Sequence, residues 1–412
     1  MKQAVKRKIF NDPVYGFVTV PTDLVYRLID HPYFQRLRRI RQLGLTNLVY
    51  PGAIHTRFHH AIGAMHLMVD AIDTIRSKGY AISDEEAEAA YIAILLHDIG
   101  HGPFSHALET SIVHNVTHED ISGLIMDRLN KEFNGKLDLA IRIFRDRYKK
   151  RFLHQLVSSQ LDMDRLDYLR RDSFFTGVSE GIVSSDRIVK MLNVVNDQLV
   201  VEDKGIYSIE KFIIARRLMY WQVYLHKTVL SAEHLLVNIL KRAKQLAEQG
   251  EELFCTPSLR LFLYNRFTKS AFLKRPEILE AFAQLDDYDI MASIKVWMQH
   301  RDGILSHLCK CMVNRELYAV ELQQKPFAGS YVEQMRKKAM KTYGVSKEDV
   351  QYYVFSGAVQ NKAYSSDNIR INIQFKNGAV MDIAEAADLF NISVLAQPVK
   401  KYFLCYPKEL RK

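Results

Sequence analysis

The chain predicts a mainly α protein, with a helical body over residues 1–325 and a small α/β appendage over residues 326–412. Three observations carry that expectation. Apolar residues recur at three- and four-residue spacing through most of the first 320 positions. Helix-opening and helix-ending residues punctuate those runs. After about residue 325, aromatic and β-branched segments replace the helical period.

In order, TDLVYRLID from Thr22 and HPYFQRLRRIRQLG from His31 read as helices, the second with Gly44 as its C-cap. AIGAMHLMVDAIDTIRSKG from Ala61 is a helix ending on Gly79. SDEEAEAAYIAILLHDIGHG starts from Ser83 as N-cap, with acids in its first turn, and runs into His97-Asp98 before Gly102-Pro103 breaks it. SSQLDMDRLDYLRRDSFF from Ser158 is another helix, and the stretch from Ile209 to Gln249 reads as one long helix. LVVEDKGIYSI from Leu199 reads as a short hairpin around Lys204-Gly205. In the appendage, YYVFSG, IRINIQF and KYFLCYP read as strands, with Lys376-Asn377-Gly378 as a tight turn.

Composition narrows the function classes. Of 412 residues, 48% are hydrophobic and 25% charged, the balance of a soluble globular protein with a sizeable core. No apolar run reaches the roughly 18 residues that span a bilayer, and MKQAVKRKIF lacks a signal-peptide core, so a cytoplasmic protein without membrane contact is expected. Four cysteines cannot staple a chain of this size. Cys309 and Cys311 have no second pair to complete a zinc site, so free buried thiols are expected. The net charge of +10 favours polyanionic partners. Of its two clusters, Arg142 to Arg151 is read as a solvated face, whereas Arg36, Arg38, Arg39 and Arg41 are read as functional.

The chemistry concentrates in Leu96-His97-Asp98-Ile99-Gly100-His101-Gly102-Pro103-Phe104-Ser105-His106. Imidazoles and a carboxylate at the end of an apolar helix suit a divalent iron, manganese, zinc or magnesium ion. Neighbouring helical residues point about 100° apart, so further ligands must come from elsewhere. Arg57-Phe58-His59-His60 and Asp162-Met163-Asp164-Arg165 are the candidates. Two imidazoles and two carboxylates leave coordination positions open, as a catalytic rather than a structural site does.

These residues resemble the HD-domain phosphohydrolases, and within them the deoxynucleoside triphosphate triphosphohydrolase branch. FNDPVYGFV (from Phe10), HPYFQRLRRIRQLG (from His31), YPGAIHTRFHHAIGAMHL (from Tyr50), VTHED (from Val116), LDMDRLDYLRRDSFFTGV (from Leu161) and ARRLMYWQVYLHK (from Ala215) each resemble a block of that branch, in the same order. The resemblance implies an HD-domain helical bundle with its core motifs at 50–175. It implies His60, His97, Asp98 and Asp164 as ligands of a divalent ion (Mn, Fe, Mg, Zn or Ni). Water would attack the α-phosphorus and release a deoxynucleoside with intact triphosphate. His101 would stand beside the phosphate with His118 and Glu119 supporting it, and His106 would act as general acid, with Glu109 one turn along to orient it.

The resemblance also implies Arg57, Arg165 and Arg216 at the phosphates and Tyr168 and Asp172 near the sugar. Gln42 and Leu43 would lie on the other side, and Tyr224 would be a wall against a 2′-hydroxyl. Tyr220 and Lys227 are expected on the same stripe as Tyr224. Two departures stand out: His59 occupies a position where relatives often carry Glu, and the loop between His106 and His118 is short. An imidazole at 59 could compete for the ion or alter its surroundings.

In relatives that form nucleotide-activated tetramers, a guanine nucleotide is held by segments corresponding here to Lys8, Ile9, Asp30, Gln35 and Arg38. Arg187 and Lys204 fall near a second activating nucleotide, although Glu202 stands where a phosphate-binding Arg is expected. The expected partners are therefore a deoxynucleoside triphosphate substrate, a guanine nucleotide activator and further copies of the chain in a dimer or tetramer. The alternatives are an HD hydrolase of a monophosphate, cyclic dinucleotide or alarmone, and a nucleic-acid-binding regulator on the same scaffold. The regulator is not favoured, because all four ligand positions are filled and no nucleic-acid-binding motif is present.

Overall fold

The computed structural model describes residues 8–104, 107–108, 116–361, 370–388 and 399–411, and the protein is mainly α as expected. At its centre the Arg57–Ser77 helix is buried along nearly its whole length. The Asp84–Leu96 helix packs against it, and so does the Met163–Thr176 helix. The candidate ligands His60 and Asp164 lie on the first and third of these, and His97-Asp98 directly follows the second.

Local signals set their ends. Ser83 is the N-cap anticipated from the sequence: it accepts from the Glu86 backbone N–H at 3.1 Å, while Glu86 Oε2 accepts from the Ser83 N–H at 2.8 Å and closes a reciprocal box. Ser83→Ala is expected to cost about 1 kcal/mol, read as a lower urea midpoint at unchanged slope; an unaltered midpoint would show that the cap is not stabilising. Asp162 caps the Met163–Thr176 helix, which stops on Gly177 at φ +73°.

Three expected elements differ. The segment from His31 is not one helix ending at Gly44: a short Pro32–Gln35 helix gives way to a 3-10 turn at Arg36–Arg39, and Gly44, at φ +50°, opens a second one, Gly44–Leu48. The reason is tertiary. Arg36 is fully buried and donates to the carbonyls of Leu285, Ile99 and His101, while the Arg41 backbone N–H donates to Asp287. The first basic cluster is thus partly structural, since Arg39 also pairs with Asp286. In the second cluster Arg145 pairs with Asp127, Lys150 with the buried Glu86 and Arg151 with Asp146, and the three basic side chains are at least partly exposed.

The long helix expected from Ile209 to Gln249 is two helices, Ile206–Met219 and Lys227–Glu248, joined through a π turn at Tyr220–Tyr224. His226 caps the second by accepting from the Thr228 N–H, so Lys227 does not continue the tyrosine stripe. The hairpin is centred on Asn196-Asp197, not on Lys204-Gly205. After an N-terminal pair, β1 (Ile9–Asp12) and β2 (Gly16–Thr19), β3 (Leu192–Val195) pairs with β4 (Gln198–Glu202), and both residues of the turn between β3 and β4 are left-handed at φ +51° and +58°.

In the C-terminal region β5 (Ala319–Gln323), β9 (Val399–Tyr406) and β6 (Phe355–Asn361) form an antiparallel sheet in the order β5-β9-β6. The Gly329–Tyr343 helix lies between β5 and β6 in the chain. β7 (Asn372–Gln374) and β8 (Val380–Asp382) instead extend the hairpin in the order β3-β4-β7-β8, with the turn anticipated at Lys376-Asn377-Gly378 between them. All four cysteines are free, and burial raises the thiols of Cys309, Cys311 and Cys405. No helix among the described residues is long and apolar enough to cross a membrane.

Candidate metal centre and substrate cavity

His60 sits in the first turn of its helix, His97 at the end of the Asp84–Leu96 helix and Asp164 in the first turn of the Met163–Thr176 helix. Their ligand atoms lie within 4.8 Å of one another. Asp164 Oδ1 stands 3.1 Å from His60 Nε2 and 3.5 Å from His97 Nε2. Asp98 lies alongside, with Oδ1 3.5 Å from His97 Nε2 and Oδ2 3.9 Å from His60 Nε2. The same carboxylate takes a 2.6 Å bond from Arg57. Neither Nε2 atom makes a well-angled hydrogen bond although both are buried. Buried nitrogens facing carboxylate oxygens without bonding them suit a shared cation, and two imidazoles with carboxylates are a fitting donor set for a divalent one.

The outer faces of both rings are anchored. His97 Nδ1 donates to the Ile94 carbonyl at 2.6 Å, and His60 Nδ1 donates to Asp167 Oδ2 at 2.7 Å, which leaves each Nε2 directed inward. Asp167 is fully buried and takes two further bonds, both 3.0 Å, from Arg171, whose guanidinium reaches on to Asp12 at 2.8 Å. Gly63 makes room for this pair, since a Cβ there would stand 2.1 Å from Asp167 Oδ1 and 2.2 Å from Arg171 Nη2. Burial alone would lower the His60 imidazole, but the Asp164 carboxylate facing Nε2, the bond from Nδ1 to Asp167 and the charges of both acids outweigh that and push it up to about 10. Burial opposes ionisation of Asp164 as well, yet the two imidazoles hold it well below the usual carboxylate range. In this form a proton neutralises the cluster, as a cation would.

The loop after His97 is pinned from below. Ser122 donates to the His97 carbonyl at 2.8 Å and accepts from the Gly100 N–H at 2.9 Å. A Cβ at Gly100 would lie 2.2 Å from the His118 carbonyl oxygen, so only glycine fits. His101 stacks on His118 at 3.9 Å between ring centres, and burial together with the nearby Arg57 charge holds it well below the ordinary imidazole value.

A cavity of about 510 Å³ opens from this cluster. Among the residues singled out in the sequence, Gln42, Leu43, Arg57, Asp98, His101, His118, Asp164, Arg165, Tyr168, Asp172, Arg216 and Tyr224 line it, and so does Tyr220. Asp172 accepts from His55 Nε2 at 2.8 Å and from the Tyr224 hydroxyl at 2.7 Å. Arg216 donates to Gln160 at 3.2 Å, and Arg165 pairs with Asp162. Glu119 lies on a second cleft, of about 780 Å³, that reaches Asp98, Asp164, His118 and Arg165 from another direction. His106 and Glu109 lie outside the described residues.

His59 does not join the ligands. Its Nδ1 accepts from the Thr56 N–H at 3.2 Å, closing a capping box, and burial lowers its imidazole. Away from the cavity, Asp30 and Arg38 are exposed, Arg38 donates to Gln35 at 2.8 Å and stacks on Phe58, and Lys8 lies over Tyr26 beside an exposed Ile9. Arg187 donates to the Lys204 carbonyl at 2.9 Å. Sequence reasoning passed over Asp12, His55, Asp167, Arg171 and Ser122. The four-residue step from Asp167 to Arg171 is a readable pairing signal; the partners His60, Asp12 and Asp172 are remote in the chain and leave none.

Residues 57–172 match the HD domain family, and residues 183–254 match the HD associated region. A crystal structure of a phosphohydrolase from Bacteroides thetaiotaomicron superposes with a TM-score of 0.94 at 54% identity, covering 97% of this chain and 100% of that one. The uncharacterized protein YwfO of Bacillus subtilis is 33% identical over 420 residues, covering 98% of this chain and 93% of that protein. The deoxynucleoside triphosphate triphosphohydrolase SAMHD1 homolog of Dictyostelium discoideum is 33% identical over 265 residues, covering 60% of this chain and 51% of that protein. With the ligand-bearing helices and these relatives in view, the chain belongs to the HD-domain phosphohydrolases, in the branch related to the deoxynucleoside triphosphate triphosphohydrolases.

Proposed function

We propose that the protein hydrolyses deoxynucleoside triphosphates to a deoxynucleoside and inorganic triphosphate. One observation supports this above the others: a single cavity joins the His60, His97 and Asp164 cluster to the guanidiniums of Arg57, Arg165 and Arg216 and to the Tyr224–Asp172 pair. When bound at the cluster, a divalent cation supplies charge neutralisation for phosphate oxygens and an acidified water. The chain's own residues do the rest. The three arginines neutralise the triphosphate and hold it in line. Asp172 is fixed by His55 and Tyr224, so an acceptor for a sugar hydroxyl stands ready in the wall, and the Tyr224 ring occupies the space that a 2′-hydroxyl would need. Oxygen from water joins the α-phosphorus, the bond to the 5′-oxygen breaks, and the proton for that oxygen is assigned to His106 from the sequence pattern.

The test is a product assay with manganese on each deoxynucleoside triphosphate alone, and again with deoxyguanosine triphosphate added as the candidate activator. Inorganic triphosphate and a deoxynucleoside are expected in equal amounts; orthophosphate or a monophosphate would defeat the proposal. Tyr224→Ala is expected to bring ribonucleotide turnover to within about tenfold of deoxynucleotide turnover, because the added hydroxyl then has room.

A further inference from the structure

One wall of the cavity is made by the Lys227–Glu248 helix, which packs on the Gly44–Leu48 turn, on β5 and on the Gly303–Val313 helix rather than on the three ligand-bearing helices. The side chains that line the cavity there are mostly apolar, among them Leu45, Leu225 and Leu236. Glu233 is the exception. It lines the cavity one helical turn before Leu236, and neither a hydrogen bond nor an ion pair engages its carboxyl among the described residues. Burial, with no compensating cation, pushes that carboxyl up to about 7. At pH 8 it is ionised and offers two acceptor oxygens in a poorly solvated place.

A half-buried carboxylate that lines a cavity with no partner among the described residues is favoured by a ligand that brings donors to it. The phosphate end of a nucleotide cannot do so, because its charge has the same sign, and the sugar hydroxyl is already assigned to Asp172; the donors that remain are those of the uncharged base. Guanine presents two adjacent donors, N1–H and the N2 amino group, that match both oxygens of a carboxylate. Adenine and cytosine set one amino donor beside a ring acceptor that opposes a carboxylate, and thymine offers one N–H between two carbonyls.

We propose that Glu233 determines base specificity by accepting from the N1–H and N2 amino groups of guanine, so that deoxyguanosine triphosphate is the preferred substrate. The assignment rests on the nucleotide reading of the cavity. It concerns the substrate's own base and is separate from any activator site around Asp30 and Arg38.

The experiment compares wild type with Glu233→Gln, which keeps the shape but replaces one acceptor with a donor, at pH 8 on each of the four deoxynucleoside triphosphates. The expected wild-type kcat/KM for the guanine substrate exceeds the others by about tenfold or more. In Glu233→Gln that value falls about ten- to a hundredfold, while the adenine and cytosine values hold or rise. Thermal unfolding of the variant at or above the wild-type midpoint confirms that it is folded. The same contrast is expected in calorimetric binding of the four triphosphates in EDTA, which needs no turnover. Equal binding of the four by wild type, or a guanine preference that survives in the variant, overturns the assignment. Absence of hydrolysis with a guanine preference intact in binding would instead count against the proposed reaction and leave Glu233 in its role.

Discussion

Asp164→Ala is expected to abolish hydrolysis, with kcat down by at least about a thousandfold and the bound metal lost, while the fold persists. Loss of a residue that merely orients a ligand already costs about 10–100-fold in affinity or activity, and Asp164 is the carboxylate on which both imidazoles converge. Its side chain is partly exposed, at 27% of its full area, so removing it leaves no cavity in the core. His97→Ala is expected to match it in activity, because both changes disable the same cluster and their effects do not add. Metal content by elemental analysis, product formation and far-ultraviolet circular dichroism separate the cases. A variant that keeps stoichiometric metal and turns over at more than about a tenth of the wild-type rate would exclude Asp164 from the ligand set. Chelation with EDTA is expected to reproduce the loss in wild type, and manganese to reverse it.

Asp167→Ala is expected to be the most destabilising single change near the site, at about 3–5 kcal/mol. The loss is larger than that of one hydrogen bond because of what remains. Arg171 is fully buried and, among the described residues, would keep only Asp12 as a counter-charge. The His60 ring would also lose the partner that turns Nε2 toward the cluster. Asp167→Asn, which nearly keeps volume and retains one acceptor, is expected to unfold at a milder cost but to bind manganese about 10–100-fold more weakly. Urea midpoints measure the first effect and equilibrium dialysis the second. An alanine variant within about 1 kcal/mol of wild type would mean that Arg171 finds solvent or another partner and that the buried network is dispensable.

The ligand types were legible because their chemistry leaves a trace in one dimension. A His-Asp pair at the end of an apolar helix, followed after two residues by His-Gly, has no packing reason to exist, and the family blocks occur in order around it. Two helix ends were legible for the same reason: Ser83 and Gly79 act on backbone within four residues of themselves. His59 shows the limit. Beside a ligand in the chain it looked like a competitor, yet its neighbour in space is the Thr56 backbone, and its role is that of a cap.

The sequence by itself thus determined the mainly helical class, the set of residues able to hold a divalent ion and the membership of the HD branch. The tertiary structure alone decided which of them converge, what orients them and what closes the cavity. The long helix expected from Ile209 is interrupted at Tyr220–His226, where Tyr224 bonds Asp172, a contact 52 residues apart in the chain. Arg36 turns inward to three carbonyls that belong to distant loops. β7 and β8 join a hairpin formed about 170 residues earlier in the chain. In each case the competing local preference is worth only about 1 kcal/mol or less per residue, whereas leaving a buried polar group unpaired costs about 1–3 kcal/mol or more. Periodicity records the first of these and is blind to the second.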